Sequence, residues 1–153
     1  MASKGDNSKK ALIEGLNGTL ADHFALYLKT KNFHWHVRGP RFRDLHLLFD
    51  EQATAILAVT DLMAERVRKN DADTLTSIGA IAKATKIKDQ DSTTLDPDAM
   101  IKQLADDNTT LVADLKALKE AAEEAGDNAT SAVVDEWTDA AELRVWFLRE
   151  HLR

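Results

Sequence analysis

Between Lys9 and Val37 the apolar residues Leu12, Leu16, Leu20, Phe24 and Leu28 recur at every fourth position, with Ile13 and Tyr27 beside them. Spacing of that kind gathers the apolar groups on one side of a helix, so it predicts a long helix buried along one face. Three further segments follow the same rule. Helix two is expected over residues 40–69, with Leu45, Leu48, Phe49, Ile56, Val59 and Met63 inward. Helix three starts after Asp96-Pro97, an N-cap and a first-turn proline, and carries Ile101, Leu104, Leu111, Leu115 and Leu118. Helix four carries Val133, Trp137, Ala140, Ala141 and Phe147 to about Leu152. The breaks have ordinary causes: Pro40 suits a first helical turn, and Gly126 suits a left-handed helix cap.

Residues 70–95 form a long polar link in which Leu75, Ile78, Ile81 and Ala82 suggest one or two turns of extra helix. Four long helices, two short connections and one long one describe an all-α, four-helix bundle whose middle link crosses over, the arrangement of ferritin-like folds. At 153 residues one domain is expected, read as a short tail over 1–8 and the bundle over 9–153. No long apolar run or secretory leader is visible, which predicts a cytoplasmic protein without a membrane partner. The net charge of −6 disfavours a surface built for nucleic acid and favours attraction of cations. Cysteine is absent, so a bound metal would have to be held by imidazole and carboxylate, which suits iron, manganese or zinc.

Helix two offers such ligands. His46 and Asp50 are four apart, as are Asp61 and Glu65, so each pair shares a face. At about 100° per residue all four fall within an arc of about 100°, directed away from the apolar stripe. The pairs cannot share an ion within one chain, because Asp50 and Asp61 lie roughly 16 Å apart along the axis. His46 with Glu65, and Asp50 with Asp61, are however centred on the same point, between Ala55 and Ile56. A two-fold axis there, crossing an antiparallel pair of these helices, would set His46 against the partner's Glu65 and Asp50 against the partner's Asp61. Ala53, Leu57 and Ala58 would line the close approach between the half-sites.

The run Phe33-His34-Trp35-His36-Val37-Arg38-Gly39-Pro40-Arg41-Phe42, continued by Leu45-His46, Asp50 and Asp61-Leu62-Met63-Ala64-Glu65-Arg66, resembles the signature of the Dps family of bacterial mini-ferritins. A weaker likeness covers the rest of the chain, including Ile87-Lys88-Asp89 and Trp146-Phe147. The resemblance implies that His34, His46 and Asp50 of one subunit and Asp61 and Glu65 of its two-fold partner form a ferroxidase centre, with Trp35 the aromatic residue beside the iron. It implies a shell of twelve subunits built from such dimers. Ferrous iron would be oxidised there, preferentially by hydrogen peroxide, and stored as ferric mineral, protecting the cell against oxidative damage.

An ordinary ferritin would instead use Glu-x-x-His motifs inside each bundle, and no Glu stands three residues before His23, His34, His36, His46 or His151. The alternative function is a nucleoid-associated, DNA-compacting protein acting through Lys4, Lys9 and Lys10. The short expected tail counts against it. Glu123 and Asp127, at the turn before helix four, are further candidates for an acidic pore at which cations enter.

Overall fold

The computed structural model describes residues 3–153 and contains α1 (Lys4–His36), α2 (Phe42–Ala58), α3 (Thr60–Lys69), α4 (Ile78–Ala84), α5 (Pro97–Glu124) and α6 (Asn128–Glu150). All the regular structure among those residues is helical. α1 packs on α2, α3 and α5, α5 packs along α6, and α4 crosses α1, giving the expected bundle with a short extra helix in the long link. None of the described helices is long and apolar enough to cross a membrane.

α1 begins at Lys4 rather than Lys9. Ser3 makes a capping box there: its hydroxyl accepts from Asp6 N–H at 3.1 Å and Asp6 accepts in return from Ser3 N–H at 3.3 Å. Most of the stretch expected as tail is therefore helix, and Met1 and Ala2 lie outside the described residues. Pro40 sits in the turn before α2 rather than in its first turn, behind Gly39 at φ +109°, a conformation open chiefly to glycine. Asp96 caps α5 as expected, accepting from Asp98 N–H at 3.0 Å. Gly126, at φ +74°, closes α5 with paired bonds from Gly126 N–H to Glu123 O and from Asp127 N–H to Ala122 O.

The expected helix two is divided at Val59. The Thr60 hydroxyl donates to Leu57 O at 2.7 Å, taking a carbonyl the helix ladder would use, and two adjacent β-branched residues crowd the same turn. Two apolar clusters fill the bundle. One gathers Leu26, Phe33, Leu45, Phe49, Ile101, Leu104 and Leu148; the other gathers Leu16, Leu20, Met63, Leu115, Val134 and Trp137.

Asp127 fastens α3 to α6. Its carboxylate takes Arg66 Nη2 at 2.8 and 3.0 Å, Asn70 Nδ2 at 2.9 Å, and both the hydroxyl and the N–H of Thr130. Burial alone would raise the pKa of this group, yet the bonds from Thr130, Asn70 and Arg66 hold it far below the usual carboxylate range. With 10% and 13% of the Asp127 and Arg66 side chains exposed, Asp127→Ala leaves a largely buried guanidinium without its partner. The expected loss is about 3–5 kcal/mol. Chemical denaturation of wild type and variant reads it, and a change below about 1 kcal/mol, the size of an exposed pair, would show that the clamp is not buried in effect.

Candidate metal centre

The α1–α2 hairpin brings His34, in the last turn of α1, against His46, in the second turn of α2. Their rings stack with centroids 3.8 Å apart and planes 13° from parallel, and Phe42 stacks on His46 at 4.9 Å. Each ring is tied to the other residue's backbone: His34 Nδ1–H donates to His46 O at 2.6 Å, and His46 Nδ1–H donates to His34 O at 2.7 Å. A carbonyl oxygen can only accept, so Nδ1 of each ring carries a proton, and it is Nε2 that offers the lone pair of the neutral form. The carbonyl at His34 is free for this because the helix ends two residues later.

Asp50 lies one turn beyond His46, with Oδ1 3.9 Å from His34 Nε2 and 2.8 Å from Lys31 Nζ. The bond from Lys31 leads the causes that lower the Asp50 pKa; partial desolvation opposes it, and the charges of Lys31, His34 and His46 add to it. Lys31 Nζ also stands 5.8 Å over the ring of Trp35, which is 57% exposed. Lys31 escaped the sequence reading, although Lys31, His34 and Trp35 share one face of α1 by their i, i+3, i+4 spacing.

Asp61 and Glu65 are exposed on α3, and Glu65 stands 3.9 Å from Lys69 Nζ. The five expected ligands thus fall into two separate half-sites. Among the described residues no three His, Asp or Glu of one chain stand close enough to hold an ion. Between the half-sites Leu57 and Ala58 are exposed as anticipated, but Ala53 is fully buried in its own core. Asp127, committed to Arg66, Asn70 and Thr130, has no carboxylate to offer a pore, whereas Glu123 stays exposed beside Lys119 at 3.7 Å. His36 is turned onto Asn32, and His151 onto Asp44 and Phe147 O, both apart from the half-sites.

An apolar groove of about 640 Å³ runs beside the His34 half-site, between α1, α4 and the link, with Phe24, Tyr27, Leu28, Trp35, Ile78 and Ile81 on its walls. Leu28, Trp35, Leu57 and Ile78 are all exposed in the single chain. All four line the groove and give it an exposed apolar border.

The ferritin-like domain family model matches residues 13–153. A DNA protection during starvation protein from Brevibacillus brevis is 33% identical over 137 residues, covering 90% of this chain and 91% of that protein. Dps from Thermosynechococcus elongatus superposes with a TM-score of 0.95 at 28% identity, over 99% of this chain and 96% of that one. A Dps protein from Vibrio cholerae, described as a member of a broad superfamily of ferritin-like diiron-carboxylate proteins, superposes with a TM-score of 0.89 at 29% identity, over 96% and 92% of the two chains.

Proposed function

The chain belongs to the Dps family of ferritin-like proteins, and from that premise we propose that it binds ferrous iron between two-fold-related subunits, oxidises it and stores the ferric product. The observation that carries this reading is the reciprocal tie between His34 and His46, which presets both Nε2 atoms as acceptors before any ion arrives. Asp50 completes one half-site, and Asp61 and Glu65 of the partner subunit supply the other. Imidazole with several carboxylates suits Fe²⁺ and favours the more highly charged Fe³⁺ still further. Two ferrous ions, one hydrogen peroxide and two protons give two ferric ions and two waters, so paired ions consume the oxidant without releasing a hydroxyl radical. Trp35 borders the centre with its ring under Lys31. The exposed apolar border supports burial against a second copy, and the assembly proposed is a cytoplasmic shell of twelve.

The test is ferrous titration of the assembled protein without oxygen, followed by addition of peroxide. Native mass measurement should find about twelve times the 17.0 kDa subunit. A species that stays monomeric, or oxidation no faster than in buffer, would overturn the proposal.

Lys31 gives the metal-free centre a resident cation, which an incoming ion must displace from Asp50. Lys31→Met should therefore tighten anaerobic ferrous binding by roughly fivefold, the modest effect of an exposed pair. Unchanged affinity would place Lys31 outside the binding step.

The names of the relatives speak of DNA protection. Removing ferrous iron and peroxide protects DNA by itself, without contact. Direct binding would fall to Lys4, Lys9 and Lys10, which are exposed on α1, and salt-dependent retardation of DNA by the assembled protein would reveal it.

A further inference from the structure

α3 carries Asp61 and Glu65, yet little in its own ladder fixes the direction in which they point. The helix has ten residues and joins α2 through the interrupted turn at Val59. Its buried residues, Thr60, Met63 and Val67, lie on one side, and Met63 and Val67 enter the apolar cluster that holds Leu16, Leu115 and Trp137. Apolar contact is non-directional and tolerates small rotations about the helix axis. On the outer side Glu65 meets Lys69 Nζ at 3.9 Å, an exposed pair that contributes little.

Arg66 supplies a directional hold. At about 100° per residue it lies about 120° round the helix from the centre of the Asp61–Glu65 face. From there its guanidinium reaches the start of α6: Nε donates to Thr130 Oγ1 at 2.7 Å, and Nη2 donates to the two oxygens of Asp127 at 2.8 and 3.0 Å. Asn70, one turn on, donates to the same carboxylate at 2.9 Å and to Arg66 O at 2.8 Å. One flank of α3 is thus tied at two positions to the first turn of α6. With two of its nitrogens engaged, the planar guanidinium is held in one orientation. The Arg66 and Asp127 side chains are 13% and 10% exposed, so water competes weakly for these bonds.

Given the divided centre proposed above, we infer that Arg66 is a positioning residue: anchored by Asp127 and Thr130, it sets the rotation of α3 and thereby the ferrous affinity of the centre that Asp61 and Glu65 complete on the partner subunit. A carboxylate about 6 Å from the helix axis moves by about 1 Å when the helix turns by about 10°. Functional groups need to be held within about 0.5 Å of their working positions, so a rotation of that size matters. Loss of the outer supports of metal ligands costs about 10–100-fold in affinity, and Arg66→Gln should weaken ferrous binding about tenfold. The effect falls on one half-site alone, because His34, His46 and Asp50 stand on α1 and α2, before the interruption at Val59.

Mixed shells test that asymmetry. One subunit carries His46→Ala with Asp50→Ala and the other carries Asp61→Ala with Glu65→Ala, which leaves one complete centre in each mixed dimer and none in the unmixed ones. Arg66→Gln is added to one subunit type at a time, and anaerobic ferrous titration measures the affinity. Placed on the subunit that supplies Asp61 and Glu65, it should weaken binding about tenfold. Placed on the subunit that supplies His46 and Asp50, it should leave binding as in the mixture without it. Equal affinities in the two mixtures would overturn the inference and leave the divided centre standing, since general loosening of a subunit acts on both alike. If the mixture without Arg66→Gln binds no iron at the centre, the divided centre itself is overturned, and the role of Arg66 with it. Should Arg66→Gln fail to assemble, Thr130→Val, which removes the acceptor of Nε and keeps the shape of the side chain, takes its place in the same mixtures.

Discussion

Replacing His46 and Asp50 together with alanine is expected to abolish peroxide-driven iron oxidation, and replacing Asp61 and Glu65 together should do the same, although the pairs lie on separate half-sites of one chain. Loss of the outer partners of metal ligands alone costs about 10–100-fold, so removal of two ligands should exceed about 100-fold in rate. The distinguishing result comes from mixing. In a dimer with one variant of each kind, one centre has lost both half-sites, while the other draws intact His46 and Asp50 from one subunit and intact Asp61 and Glu65 from its partner. Each such dimer should recover about half the wild-type rate if its two centres act independently. Ferroxidase rates are measured in shells reassembled from separated variant subunits, against each variant reassembled alone. His46→Ala also removes the ring stacked on His34 and the bond to His34 O, so native mass and helical content must be matched first. If recovery fails in correctly assembled shells, the centre is not divided between subunits in this way.

The separation of the two candidate pairs was legible because period and face are properties of one helix. His46, Asp50, Asp61 and Glu65 could be placed outward by counting, and the structure keeps them partly or fully exposed. His34 could not be found by counting. It lies on another helix, and only the family resemblance paired it with His46; the stacking and the reciprocal Nδ1 bonds depend on the hairpin packing, which no local pattern encodes. The caps at Asp96 and Gly126 were readable since each follows from one residue's chemistry. The interruption at Val59 was not. It arises where a hydroxyl competes with the backbone, and Thr60 resembles many helical threonines until its bond to Leu57 O is seen. Ala53 was misplaced because at about 100° per residue it lies at the edge of the ligand arc, next to the apolar stripe, where packing decides which side it joins. Asp127 was misread because Arg66 and Asn70, distant in sequence, converge on it.

Acid should destabilise the protein through His23, a residue remote from the half-sites. Burial, followed by the charge of Arg144, lowers its pKa from the usual 6.5 to about 4, against the raising effect of its bond to Thr19 O. In the unfolded chain the ring takes up a proton as pH falls through its ordinary value; in the folded bundle it resists until near 4. Over that window the unfolded state binds more protons, so stability falls with pH, by about 3 kcal/mol once the lower end is passed. Other groups respond to acid as well. Asp127, with its depressed pKa, loses stabilising charge only at more acid values, and Asp22, whose pKa burial raises, acts in the opposite sense. The difference between wild type and His23→Met isolates the ring. The variant carries a constant offset from the lost bond to Thr19 O, so the slope is the quantity to read. Denaturant unfolding at matched protein concentration, from pH 7 down to about 4, should show a shallower decline in the variant. Parallel profiles would mean that His23 is protonated as readily in the bundle as outside it, and that neither burial nor Arg144 holds it neutral.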